Sequence, residues 1–390
     1  MPRNLVLLLD GTSNEIEEDR TNIVRLYGCL KRNENQIVFY DPGVGTLGAD
    51  KAWTRWGTKL YEVMGLAFAL GLDDNVKDAY RFLVRNWKPG DRIYVFGFSR
   101  GSYTARVLAG FVRTIGLITE DQINLLDYAY RAYKRVSDVG GFEKEVRLYE
   151  RMLKARKPPV RFLGLFDTVA SVIVFKKVFP SLEYLPFTQT NHMVETVRHA
   201  VAIDERRTMF QPYFWQPGQK YWKGPILPAA DKRGKLKDQD FREVWFVGCH
   251  GDIGGGNPEA RSGLAKIPLD WMIGEARMAG LDFNTATVNR IVLGKKSKAS
   301  ATKYVPPDPT DDINRTMRGL WPLVELLLPR RRNAATSRKW HIGPFYLPLG
   351  ERRRIRDDAL VHVSVRERIA ARDDYRPANL PTKPDYFTSK

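Results

Sequence analysis

Ser99 stands in Gly97-Phe98-Ser99-Arg100-Gly101, a Gly-x-Ser-x-Gly pentapeptide. A serine hydroxyl is a poor nucleophile until a base takes its proton and a turn exposes it. The flanks supply such a turn. Ile93–Phe96 is an apolar run of strand-forming residues, bounded upstream by Pro89-Gly90-Asp91. Downstream, a helical pattern runs to about Gly116. Strand, tight turn and helix are the context of a nucleophile elbow. Such a turn leaves no room for side chains two residues before and after the nucleophile, and Gly97 and Gly101 meet that demand. Ser99 is then expected at the carboxyl end of a strand, over a helix N-terminus that favours negative charge.

Two further apolar runs end in groups that could serve that serine. Val160–Phe166 runs into Asp167-Thr168, and Glu243–Gly248 into Cys249-His250-Gly251-Asp252. A histidine can remove the serine proton near neutral pH and return it to the leaving group. A carboxylate fixes the imidazole tautomer and stabilises the imidazolium. The chain order Ser99, Asp167, His250 is that of the α/β-hydrolases. His362, in Leu-Val-His-Val-Ser-Val, is the rival base, and Asp252 the rival acid. An oxyanion hole needs two backbone donors. Arg100 is expected to give one and the Gly11-Thr12 turn the other. Asp10 is read first as a ligand of loop backbone. No His, Cys, Asp or Glu spacing matches a zinc or EF-hand pattern, so neither metal nor cofactor is expected.

The elements that must position these residues suggest an α/β class, α/β-hydrolase-like. A mostly parallel central sheet is flanked by helices, with insertions capping the site. Leu5–Leu9 is wholly apolar and reads as a central parallel strand ending at Asp10-Gly11. Thr21 caps a helix to about Lys31, and Gln36–Tyr40 is a second strand. Helical stretches are expected at 59–70, 74–87, 119–135, 143–155, 191–202, 268–279 and 359–372. The division expected is a catalytic core over 1–285 with an insertion near 171–240. A basic cap or surface segment over 286–358 follows, then a C-terminal helix and tail, 359–390, packing on the core.

The 390 residues carry a net charge of +18. Residues 290–358 hold 16 Lys/Arg against 7 Asp/Glu, half of that excess. Such charge attracts anionic surfaces, either membrane or nucleic acid. Helix-turn-helix, zinc-finger and RNA-recognition signatures are absent, so no specific nucleic-acid partner is expected. Leu320–Pro329 is apolar and runs into Arg330-Arg331-Arg332. It is read either as a buried lid helix or as a shallow contact with an anionic membrane surface. No 18-residue apolar run exists, and the first apolar stretch is too short for a signal peptide. Two cysteines suit a reducing compartment. The chain is therefore expected to be cytoplasmic as synthesised, with export by a leaderless system compatible.

Several stretches together resemble an uncharacterised α/β-hydrolase family typified by type VI secretion phospholipase effectors. They are Leu9–Asn14, Gly97–Arg106, Phe162–Val169, His199–Arg207, Val244–Gly256, His362–Arg368 and Tyr375–Pro381. Cys249-His250-Gly251 departs from the family's usual Val-His-Ser. The resemblance maps a triad onto Ser99, Asp167 and His250. It implies carboxylic-ester hydrolysis through an acyl-enzyme, with phospholipids or other lipids as substrate. A soluble esterase acting on a non-membrane ester is the alternative, and a basic nucleic-acid-binding protein a weaker one.

Overall fold

The computed structural model describes residues 2–11, 19–43, 57–136, 148–149, 151–169, 173–176, 179–182, 185–222, 236–296, 303–317, 321–326, 330–331 and 345–388. Thr12, most of the glycine-rich loop after Asp41, and parts of the 143–155 and 320–332 stretches lie outside them.

The strands, in chain order, begin with β1 (Asn4–Leu9), β2 (Gln36–Asp41), β3 (Arg92–Phe98) and β4 (Val160–Phe166). A hairpin of β5 (Ile173–Lys176) and β6 (Phe179–Leu182) precedes β7 (Val194–Ala202). A second hairpin, β8 (Lys220–Trp222) with β9 (Leu236–Asp238), precedes β10 (Asp240–Phe246). A third pairs β11 (Arg330–Arg331) with β12 (Phe345–Tyr346), and β13 (Leu360–His362) and β14 (Asp385–Phe387) close the series. Eight of them form one sheet in the order β14-β13-β10-β7-β4-β3-β1-β2. Every neighbouring pair in it is parallel.

Helices cover both faces, as an all-parallel sheet requires. The period-two alternation of β1 shows how. Leu5, Leu7 and Leu9 join a core with Val76 and Tyr80 of α2 (Gly57–Asn86) and Val107 and Phe111 of α3 (Arg100–Thr114). Tyr133 of α4 (Leu126–Arg135) completes that side. Val6 and Leu8 face the opposite core, with Ile23 and Leu26 of α1 (Asn22–Cys29). Later elements follow: α5 (His250–Gly254), α6 (Gly263–Met278), α7 (Thr285–Ile291), α8 (Trp321–Glu325) and α9 (Val363–Ala371). Thr21 caps α1 as expected, its hydroxyl accepting from Val24 N at 3.2 Å.

Three expectations change. Residues 194–202 are not helical but form β7, which lies between β4 and β10. The two helices expected within 59–87 are one, α2. The stretch 359–372 opens as β13 before turning helical, and the Pro-rich tail returns as β14 to pair with it. The chain leaves β1 toward β2 on one side, and β3 lies on the other. Ligand sites of open parallel sheets form at such a switch point, outside the carboxyl ends of the strands.

Candidate active site

The elbow is built by close approach. An added Cβ at Gly101 would meet Leu9 O at 2.1 Å and Asp10 O at 2.5 Å; at Gly97 it would meet Gly101 O at 2.4 Å. Backbone oxygens cannot swing aside, so glycine is required at both positions. Ser99 sits between them at φ 57°, ψ −119°, a conformation that costs a non-glycine residue on the order of 1–3 kcal/mol. Two contacts hold it there. Ser99 N donates to Phe166 O at 3.0 Å, and Ser102 Oγ donates to Gly97 O at 2.6 Å. Arg100 opens α3, where backbone N–H groups point out of the helix end. Its guanidinium is buried, which lowers its pKa to about 10 despite Asp41 nearby.

Asp167 follows β4, also at positive φ (40°), and is fully buried. His250 opens α5. Its Nδ1 lies 2.5 Å from Asp167 Oδ2. An ionised carboxylate only accepts, so Nδ1 carries the proton and Nε2 is the basic nitrogen. Nε2 is buried with no hydrogen-bond partner among the described residues. Two rings flank the imidazole, Phe98 at 4.8 Å and Phe210 at 4.9 Å between centroids. Phe98 is the neighbour of Ser99 in the chain, so the elbow and the imidazole share a wall.

Burial alone would raise the Asp167 carboxyl. The Arg353 guanidinium, then the hydrogen bond from His250, outweigh it and hold the acid well below the usual carboxylate range. The imidazole's backbone is fixed as well: His250 N donates to Glu205 Oε2 at 3.1 Å. Glu205 is itself buried, and its pairing with Arg207 overcomes desolvation to bring it down to about 2. Beneath the acid, Thr168 N donates to His199 Nε2 at 3.2 Å, and His199 Nδ1 meets Glu243 at 2.8 Å.

The other candidates lie elsewhere. His362 caps α9, its Nδ1 accepting from Ser364 N at 3.2 Å, and stacks on Phe246 at 4.7 Å. Burial lowers it to about 4. Asp252 accepts from Cys249 N at 2.9 Å and from Asn314 Nδ2 at 2.6 Å. Burial raises it to about 6 although those donors oppose the shift. Asp10 accepts from Gly11 N at 2.7 Å, Thr21 Oγ1 at 2.5 Å and Tyr40 OH at 3.2 Å. The Gly11 amide is thereby engaged, and Thr12 lies outside the described residues. No group of three or more His, Cys, Asp or Glu able to hold a metal occurs among the described residues. Sequence reasoning missed Arg353, Glu205, Phe210 and His199 as parts of this site. Glu205 and His199 fall in the His199–Arg207 stretch already singled out; nothing local marks Phe210 or Arg353.

Residues 3–275 match the family of type VI secretion phospholipase effectors, Tle1-like, catalytic domain. The chain belongs to that family. It is also similar to the uncharacterized protein YEL023C of Saccharomyces cerevisiae, 34% identical over 229 residues, 55% of this chain and 33% of that protein. Among solved structures, an uncharacterized protein from Pseudomonas aeruginosa aligns at 18% identity and TM-score 0.40, over 73% of this chain and 46% of that one. A Tle1 effector bound to the VgrG spike of the type VI secretion system aligns at 19% and 0.32, over 66% and 51%. This Tle1-like chain thus spans about a third of the yeast protein and about half of either solved chain.

Proposed function

We propose that the protein is a serine hydrolase that cleaves carboxylic esters of lipids, phospholipids first among them. The observation that carries this reading is the strained Ser99 elbow beside a buried His250–Asp167 pair whose basic nitrogen is uncommitted among the described residues. Ser99 Oγ attacks the ester carbonyl carbon while His250 Nε2 takes its proton. The carbonyl π electrons move to oxygen, and the N–H of Arg100 at the start of α3 stabilises that charge. Collapse breaks the bond to the alcohol, which leaves with the proton from His250. A water, activated by the same nitrogen, then hydrolyses the acyl-serine. Asp167 holds the tautomer and offsets the imidazolium charge.

Family membership supports a lipid ester, as do the phenyl rings on either side of the imidazole. The segment read as lid or membrane contact is described only in part. Leu323 of its helix α8 and Leu326 just after it are 59% and 51% exposed, while Glu325 is buried and accepts from Thr208 N at 2.8 Å. Trp321 packs on Phe210, the ring beside His250. Apolar side chains turned outward from an element next to the site suit contact with a lipid surface. The basic composition supports an anionic one.

The test is fluorophosphonate labelling with mass spectrometry of the modified residue, alongside fatty-acid release from a panel of phospholipid vesicles and soluble esters. The wild type should label at Ser99 and release acid from phospholipid. Ser99→Ala should do neither while keeping its thermal unfolding profile. Hydrolysis that persists in Ser99→Ala removes the serine mechanism; release from soluble esters alone removes the lipid substrate.

A further inference from the structure

Arg353 lies beyond the residues matched by the family, in the basic run 352–356. That run alternates: Arg352, Arg354 and Arg356 are exposed, while Arg353 and Ile355 point inward. At 2% exposure Arg353 is among the largest buried side chains of the protein. Its guanidinium forks onto both oxygens of Asp167, Nη1 to Oδ1 at 2.6 Å and Nη2 to Oδ2 at 3.0 Å. Nη1 also donates to Ala202 O at 3.0 Å, and Nη2 to Phe210 O. One planar group therefore ties the acid's loop to the end of β7 and to the turn whose ring packs on His250. Its own backbone is pinned by Asn379, whose Nδ2 donates to Arg353 O and to Ile203 O.

A buried ion pair is a weak argument for stability, because desolvating both ions offsets most of their attraction. A planar fork is a strong device for orientation, since it fixes the carboxylate plane. We propose that Arg353 is a positioning residue for the acid–base pair. It fixes the Asp167 oxygen that faces His250, and its charge sets the pH at which the pair takes up a proton. The inference rests on the serine-hydrolase reading above and assigns that site a fourth member.

Other charged groups face the pair from several elements. Glu205 and Arg207 neutralise each other. His199 accepts from Thr168 N at Nε2, so its proton is on Nδ1, toward Glu243. Arg106 Nη2 bonds Thr168 Oγ1 at 3.0 Å, one residue from the acid. Asp252 shares α5 with His250 but is turned to Cys249 and Asn314. Of these cations, Arg353 is the one in contact with the carboxylate of Asp167.

Removing its charge while leaving the rest should make the pair easier to protonate. The acid limb of the rate profile should then move to higher pH. The experiment is the rate of fluorophosphonate labelling at Ser99 against pH in the wild type, Arg353→Lys and Arg353→Met, with thermal unfolding of each. Arg353→Met should shift the acid limb upward by about one pH unit. It should also label about a hundredfold more slowly at neutral pH, because the carboxylate is no longer oriented. Arg353→Lys keeps the charge but loses the fork, so its limb should stay near the wild type's while its rate falls about tenfold. If Arg353→Met does not fold, Arg353→Gln, also uncharged, reads the same limb. An unmoved limb in the uncharged variant, whatever its melting temperature, overturns the proposal and leaves Arg353 a scaffold residue. A wild type that does not label at Ser99 fails at the earlier step and overturns the serine-hydrolase reading instead.

Discussion

The proposed nucleophile side and the proposed acid–base side of the candidate site are made in opposite ways. The nucleophile side is local in its elements, strand, turn and helix within Arg92–Thr114, and is fixed mainly by van der Waals exclusion, including the close approach of Leu9 and Asp10 to Gly101. The acid–base side is assembled from remote segments, with Asp167, Glu205, His250 and Arg353 brought together by charge and hydrogen bonding. The first should therefore fail by steric collision and the second by loss of a partner. A steric failure displaces the turn itself, whereas a lost partner removes the rate and leaves a buried charge unpaired, which lowers stability without moving the turn.

That contrast can be broken directly. The largest expected effect is on the remote side. Asp167→Asn should cut turnover by roughly 10³–10⁴, because an amide cannot hold the imidazole in the working tautomer. Circular dichroism should show the fold retained, with a lowered melting temperature because the buried Arg353 loses its charged partner. Turnover near that of the wild type would move the acid elsewhere and dissolve the pair on which the contrast rests. On the local side, Gly101→Ala places a methyl 2.1 Å from Leu9 O. Overpacking of this kind costs about 1–3 kcal/mol or more, so the melting temperature and Ser99 labelling should fall together. A stable but unreactive Gly101→Ala protein would show that the elbow is not held by sterics alone.

The smallest effect sharpens the boundary of the remote cluster. His362 lies outside it, capping α9. Burial lowers its folded pKa to about 4, below the ordinary imidazole value of about 6.5. The unfolded chain therefore takes the proton first. The stability it contributes is intact above about pH 6.5 and is lost as pH falls toward about 4. His362→Asn supplies a capping oxygen in place of Nδ1, so activity should stay within about twofold and stability at pH 7 within about 1 kcal/mol. Its unfolding midpoint should decline less steeply between pH 6.5 and 4 than the wild type's. Loss of hydrolysis in this variant, with His250→Ala still active, would reverse the assignment of the base.

Legibility in the sequence followed the same division. Ile93–Gly101 carries its own instructions: an apolar run, a breaker before it, and two glycines that only a tight turn demands. The strands leading to Asp167 and His250 were legible because their apolar runs stop shortly before those residues. β7 was not, because Arg198 and His199 interrupt its apolar run. In the fold both are buried, Arg198 against Asp240 and Glu275, His199 against Glu243. Each pairing spans dozens of residues of sequence, and no window read along the chain contains it. Arg353 is the extreme case. Within a run of arginines its type and spacing signal a solvated surface, and an extended backbone turns alternate residues inward.

The sequence by itself determined the class of fold, the elbow motif and the chain order of a serine, an acid and a histidine, since these are written in residue types within single strands and the turns that follow them. The tertiary structure alone decided that Asp167 meets His250 at 2.5 Å, that His362 and Asp252 are spent on caps, and that Arg353 closes on the acid. Those outcomes depend on which segments the parallel sheet sets side by side. They depend also on burial, which makes a charge tolerable only where a partner from elsewhere in the chain arrives to meet it.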